Sequence, residues 1–342
     1  MRRTLNLLLL LLALLAAGAV GRAGVPSAQA QDASDDRILA VAGRQVVWLD
    51  QAAPRPRPLT RLAPPANAVD IAAMPDWPTA VVSVTAPFPG GGARGADLVL
   101  LDLDSGALTP LASRTDATES LVAPAWWPDG SAVLFERDDL TGRPVGAPGQ
   151  EVPRYPSRIE AISIDSQARV LLTADGRQPS PAPDGSHVVF ARTTSQGASL
   201  LVWTNGEGTE QTLVAAGRFV DVAYPRYSPA GDQIAFVAPQ SGLNSSTPFP
   251  GLAGRFVFAM ALERAHGIPW DPWVMNVDGS GLRRAAVVGG DEPSVSWSPD
   301  GSRLFVYSGT GSAVVDLATG ETTPLTYITG YGPTAWLPSQ LP

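Results

Sequence analysis

Side chains able to do chemistry are few in this 342-residue chain. Two histidines and no cysteine exclude thiol catalysis, thiolate metal sites and disulfides. His187 occupies a position filled elsewhere in the chain by Ala132, Gln233 and Arg303, which marks a tolerant surface site. His266 has no second imidazole at a metal-ligand spacing, and no Gly-x-Ser-x-Gly elbow accompanies it to build a triad. Carboxylates remain. Asp138-Asp139 and Asp291-Glu292 are adjacent acids that could hold a cation or a basic partner. Asp102 with Asp104, and Asn276 with Asp278, resemble pieces of calcium loops, but Asp and Asn are expected at turns in any case. No catalytic residue, metal or cofactor is expected.

Binding residues are sought instead on irregular segments that a rigid scaffold would display. Three such segments stand out: Pro87–Ala96, Asp138–Ser157 and Gln240–Asp271. The second adds Arg154 and Tyr155 to its acids. The third is longer than connection requires and carries Phe249, Phe256, His266 and Trp270. Its run Arg255–Arg264 could form two or three helical turns. Such aromatics suit the anchoring of a partner; they equally suit a segment that plugs a channel or covers a neighbouring sheet.

The scaffold declares itself through repetition. Trp126-Trp127-Pro128-Asp129-Gly130, Pro181-Ala182-Pro183-Asp184-Gly185 and Trp297-Ser298-Pro299-Asp300-Gly301 are copies of one motif, and Tyr227-Ser228-Pro229-Ala230-Gly231 is a fourth with Ala for Asp. Degenerate copies stand at Pro75-Asp76-Trp77 and Trp336-Leu337-Pro338-Ser339. Pro sets φ for the first central position of a tight turn, Asp suits the next, and Gly takes the left-handed position that returns the chain as a strand. Five residues beyond each Gly comes Phe135, Phe190, Phe236 or Val306, with Val82 as the counterpart after Trp77; one buried packing position recurs per repeat. Between the turns lie six β-rich runs ending in Asp or Asn: Val46–Asp50, Leu98–Asp102, Ile162–Asp165, Leu201–Asn205, Val274–Asp278 and Val314–Asp316.

Each unit therefore supplies four short strands, a to d, and repeats of roughly 40–50 residues with four strands are propeller blades. The expected fold is an all-β, six-bladed β-propeller with four antiparallel strands per blade. Ile38–Ala42 comes before the first c–d pair, and Thr334–Leu337 has no b, c or d strand after it. Joining the two chain ends in one blade closes the ring and removes exposed sheet edges. In such blades the a–b and c–d turns share one face of the disc, while the b–c and d–a connections share the other. The three irregular segments are all b–c connections, so that face is expected to be the working one.

The Pro-Asp-Gly hairpins, and above all Trp273-Val274-Met275-Asn276-Val277-Asp278-Gly279-Ser280-Gly281-Leu282-Arg283-Arg284, resemble the WD40-like repeats of TolB-type propellers. The resemblance covers nearly the whole chain after its first segment and implies the blade, not an activity, because enzymes, peptidase accessory domains and scaffolds share it. TolB itself carries a mixed α/β domain before its propeller, whereas blade sequence is expected here soon after residue 30, so a Tol-type role is not carried over.

The N-terminus has Arg2 and Arg3, an apolar run from Leu7 to Val20 and Ala28-Gln29-Ala30. A basic start, a short apolar core and an Ala-x-Ala site predict a secretory signal peptide over residues 1–30, then a linker over 31–36 and one propeller over 37–342 with its insertion at 240–271. A retained anchor is the alternative. Cleavage would remove three Arg, leaving 21 basic against 32 acidic residues and a formal charge of −11. Such a surface repels phosphate backbones, so nucleic acid is not an expected partner; nor is membrane insertion after cleavage. The combined expectation is an exported, monomeric, non-catalytic module that binds an envelope or extracellular protein. The alternatives are a propeller that binds carbohydrate or another small ligand, and a carboxylate-dependent hydrolase or lactonase.

Overall fold

The computed structural model describes residues 37–50, 55–74, 77–89, 95–142, 155–193, 199–204, 209–215, 218–219, 221–239, 269–325 and 328–338. The chain begins with β1 (Arg37–Ala42), β2 (Gln45–Asp50) and β3 (Arg57–Pro58). Blade one follows as β4 (Asn67–Ala73), β5 (Thr79–Ala86), β6 (Gly95–Asp102) and β7 (Leu108–Ala112). Blade two is β8 (Glu119–Trp126), β9 (Ala132–Asp139), β10 (Ser157–Ser163) and β11 (Arg169–Thr173). Blade three is β12 (Arg177–Pro181), β13 (Val188–Thr193), β14 (Ser199–Thr204) and β15 (Glu210–Val214). Blade four is β16 (Ala223–Tyr227), β17 (Gln233–Pro239), β18 (Trp270–Asn276) and β19 (Arg283–Arg284). Blade five is β20 (Ser294–Trp297), β21 (Arg303–Ser308), β22 (Gly311–Asp316) and β23 (Thr322–Leu325). Finally β24 (Ala335–Leu337) pairs with β1, so blade six has the order β24-β1-β2-β3.

The six sheets are antiparallel throughout and contain four strands each. First strands adjoin one another around a circle, β4 to β8, β12, β16, β20, β24 and back to β4. This is the six-bladed propeller the repeat implies, sealed by the chain ends. The seam is short: Arg37 faces Leu337, Ile38 faces Trp336 and Leu39 faces Ala335.

The Pro-Asp-Gly turns behave as their chemistry dictates. The Gly130 amide donates to the Trp127 carbonyl at 2.9 Å, and Gly130, Gly185, Gly231 and Gly301 have φ of 75°, 70°, 76° and 72°, which a Cβ would strain. At Gly130 there is a second reason for glycine: a Cβ would collide with the Trp77 ring of the preceding blade. The turns are thus stacked blade on blade.

Packing follows the same logic. Among the described residues the core is divided: six hydrophobic clusters lie one between each pair of neighbouring blades. The recurrent position, Val82, Phe135, Phe190, Phe236 and Val306, is fully buried in all five blades. Burial of a large side chain at each interface stabilises by about 1.5–3 kcal/mol, so blade adhesion is distributed around the ring. Trp270 and Asp271, assigned from sequence to the end of the insertion, are the first residues of β18: Trp270 faces Pro239 across the sheet.

Candidate functional site

β9 changes character along its length. Val133, Leu134 and Phe135 are buried apolar residues; Glu136, Arg137, Asp138 and Asp139 then bring four ionisable side chains to the end of the strand on the b–c face. Alternation splits them. Arg137 shares the Phe135 face and binds Glu119 and Glu160. Glu136 and Asp138 share the Leu134 face, which packs on blade three.

That face meets an irregular channel wall. β4, β8, β12 and β16 each carry a register shift, at Ala68/Asp70, Val122/Ala125, Arg177/Ser180 and Ala223/Arg226. A bulge leaves one residue unpaired in the ladder. In three of them a non-glycine residue takes a left-handed conformation: Ala123 at φ 46°, Gln178 at 53° and Tyr224 at 50°. These residues stand five before the Pro of their turns, as does Asp70. Their amides are satisfied from the neighbouring blade. Ala123 N–H donates to Asp70 Oδ2 at 2.8 Å, and Tyr224 N–H donates to Gln178 Oε1 at 2.9 Å. Ala123 has no side-chain acceptor to offer blade three, and Glu136 supplies one: Gln178 N–H donates to Glu136 Oε2 at 3.0 Å. Blades one to four are thereby chained along the channel.

Charge accumulates here. Arg177 and Asp221 are 2% and 1% exposed and form an ion pair at 2.6 Å; Arg177 also donates to the Val222 carbonyl at 2.8 Å. Burial raises the Asp70 carboxyl to about 6, helped by the charge of Glu136 and opposed by the Ala123 amide and Arg226. Burial likewise lowers Arg226 from the usual guanidinium range. Asp138 is pushed far above the carboxylate range by burial, then by the charge of Glu136 and a hydrogen bond with it.

Outward from Asp138 opens a cleft of about 420 Å³. Its walls include Asp116, Thr118, Asp138, Asp139, Ser157 and Arg158, contributed by the d–a connection into blade two and by the facing ends of β9 and β10. Two of its acids are set by turns. Asp116 accepts from Thr118 N–H and hydroxyl, both at 2.8 Å, and Asp139 accepts from Thr141 N–H at 2.9 Å and hydroxyl at 2.6 Å. These bonds hold both carboxyls below their ordinary value.

The residues expected from sequence are distributed unevenly. Asp138 and Asp139 line the cleft, and Tyr155, 42% exposed, precedes its wall residue Pro156. Arg154, Phe249, Phe256 and His266 lie outside the described residues. Trp270 is not a free anchor: it is 9% exposed and packs in the cluster between blades four and five. Strand alternation places it inward, beside a fully buried Asp271 that accepts Val288 N–H at 2.8 Å and Gly289 N–H at 3.0 Å. Asp291 and Glu292 sit near blade five, away from the cleft, where Asp291 accepts the Tyr331 hydroxyl at 2.7 Å. Asp70, Glu136, Arg177, Gln178 and Asp221 were not singled out by sequence. Asp70 and Gln178 carry a signal, the register five residues before each turn Pro, where they depart from small or apolar neighbours in the repeat; Glu136, Arg177 and Asp221 carry none.

Neither a family model nor a curated protein sequence matches the chain. Solved structures do match. TolB from Acinetobacter baumannii superposes with a TM-score of 0.61 at 16% identity over 89% of this chain and 67% of that one. A putative TolB from Agrobacterium tumefaciens gives 0.55 at 19%, over 80% and 85%. The fold is a TolB-like propeller. A chain in a nidogen/laminin complex gives 0.60 at 12%, over 89% and 99%. At these identities the likeness is one of architecture.

Proposed function

We propose that this chain is an exported, non-catalytic propeller that binds a protein partner, in the periplasm or outside the cell, on its b–c and d–a face. The observation that carries the reading is the cleft of about 420 Å³ on that face, backed by a wall whose every bulge is tied to the next blade. Turn bonds orient Asp116 and Asp139 as acceptors, and the exposed Tyr155, next in sequence to the wall residue Pro156, offers an aromatic contact; fixed acceptors and an exposed aromatic suit recognition. The nidogen propeller fold, solved in complex with laminin, supports the idea that this architecture serves protein recognition. The signal-like first thirty residues support export.

The test is site-specific photo-crosslinking in the native envelope and culture medium, with the crosslinker at position 155 and, as a control, at the a–b turn residue Asp184. A discrete protein captured from 155 and absent from 184 is the expected result. Equal capture from both positions, or none from 155, refutes the assignment of the face. The cleft's hydroxyl and carboxyl lining also suits a carbohydrate, and displacement of the captured partner by soluble glycan would favour that second reading.

A further inference from the structure

The first strands of the blades line the channel. Three residues before each turn Pro they carry Ala72, Ala125, Ser180, Arg226, Ser296 and Ala335. Five of these side chains are small, and one is a guanidinium. β17 and β18 lie outside β16, so the part-exposed surface of Arg226 opens inward, to the channel. Its guanidinium carbon sits 6.0 Å from the centre of the Tyr224 ring, and Nη1 donates to the Pro225 carbonyl at 2.9 Å. The side chain thus folds back along its own strand, toward the level five residues before the Pro.

Asp70 occupies that level on β4 and is part-exposed in its turn. Blades one and four are opposite one another in the ring, so Asp70 and Arg226 approach its axis from opposite sides. Asp70 Oδ2 accepts the Ala123 amide at 2.8 Å. A Cβ at Gly332 would come within 3.0 Å of Oδ1; glycine there leaves this oxygen uncovered.

Neither charge is matched. Among the described residues Arg226 has no carboxylate in ion-pair reach and gives one of its N–H donors to a carbonyl, and Asp70 Oδ1 accepts no hydrogen bond. An unpaired guanidinium away from bulk water is costly, and its planar fork matches a carboxylate. An ionised Asp offers acceptors only, so it calls for a donor. Burial raises Asp70 and lowers Arg226, and each feels the charge of the other.

We propose that the channel binds a small amino carboxylate, its carboxylate on the Arg226 fork and its ammonium on Asp70, in the space left by the small residues of the other blades. A zwitterion meets both walls and adds no net charge to a desolvated site. An anion alone leaves Asp70 unmet and is repelled by it. Tyr224, held at φ 50° with its amide on Gln178, gives the guanidinium a fixed aromatic wall. The site is separate from the cleft and stands whatever partner the b–c face takes.

Calorimetry on the wild type at neutral pH tests it with glycine, β-alanine and γ-aminobutyrate, which hold their two charges at increasing separation. Acetate, methylammonium and inorganic phosphate are the comparison. Trp297 reports the place, because its Nε1–H donates to the Arg226 carbonyl at 3.0 Å and its indole N–H resonance can be assigned from sequential connectivities. One zwitterion should bind at least about tenfold more tightly than any of the three comparison ions and should shift the Trp297 signal saturably. Arg226→Gln should abolish this binding, and Asp70→Asn should reduce it to the level of acetate. Acetate or phosphate binding as tightly as every zwitterion overturns the proposal. So does binding that leaves Trp297 unmoved, or no binding by any of the three zwitterions. If a variant does not fold, the wild-type series and the Trp297 signal decide alone.

Discussion

Tyr307→Phe tests whether the seam holds the ring. β24 faces only the first three residues of β1, so the inner edge of β1 beyond Leu39 lacks a strand. Val46 turns its amide and carbonyl toward Thr60 and Leu59; its register partner Val41 therefore points the other way, to the open edge. The Tyr307 hydroxyl of blade five reaches across and donates to the Val41 carbonyl at 2.6 Å, with the Thr329 carbonyl at 3.2 Å. Tyr307 is fully buried, and burial holds its phenol above the ordinary range. Phe preserves the ring packing against Phe305 and leaves these carbonyls without a donor, which costs about 1–3 kcal/mol in a buried site. For a domain of this size that corresponds to a loss of several degrees in Tm. Urea and thermal melts of the wild type, Tyr307→Phe and Tyr331→Phe measure it. Tyr331 makes a similar hydroxyl bond to Asp291 but is 51% exposed, so its loss should move the midpoint little. If Tyr307→Phe melts with the wild type, the hydroxyl does not close the seam and the reasoning fails.

Two further outcomes follow from the same structure. Asp70 is raised to about 6, so the fold binds more protons than the unfolded chain from about pH 4 to 6 and stability declines across that window. Asp70→Asn keeps an acceptor for Ala123 N–H, should flatten that limb and should gain about 1–3 kcal/mol at neutral pH; a variant with an unchanged pH profile, or one less stable at neutral pH, counts against the buried carboxyl. Replacing residues 241–268 by a tight turn should leave a folded propeller with near wild-type melting, because Pro239 and Trp270 already face each other across the ends of β17 and β18. Failure to fold would make the segment structural.

The fold was legible because its rules are local and repeated. A Pro-Asp-Gly turn specifies a hairpin wherever it occurs, and a fixed offset from it specifies a buried residue, so blade count and closure could be read from spacing. The site was legible only in part. Asp138-Asp139 looks like a single acidic pair, but strand alternation puts Asp138 on the Glu136 face while Asp139 caps the turn of Thr141. Trp270 resembles an anchor after a long irregular stretch, yet its place at the start of β18 turns it into the core. Asp70, Gln178 and Glu136 lie on different blades, and nothing in their sequence separation announces that a bulge amide on one needs an acceptor on the next.

That need also explains where in a near-symmetric ring function can reside. Position five before the turn Pro is Asp70 in blade one and Gln178 in blade three, and each accepts the next blade's amide through its own side chain. In blade five the same position is Ser294, whose hydroxyl donates to the Gly332 carbonyl at 2.7 Å, and Ser296 pairs with Thr334 at 2.9 Å. Blade two, with Ala123, meets the next blade's bulge amide from its second strand instead. Glu136 is the acceptor, and its use on the wall is what brings a carboxyl beside Asp138 at the edge of the cleft. The repeat is thus broken in blade two, and the break places a wall residue two positions from Asp138 on the same strand. A variant that restores the repeat, Ala123→Gln with Glu136→Gln, should melt close to the wild type, whereas Glu136→Ala alone strips the Gln178 amide of its acceptor and should cost about 1–3 kcal/mol in a urea melt; equal melting of all three would show that the wall does not need Glu136.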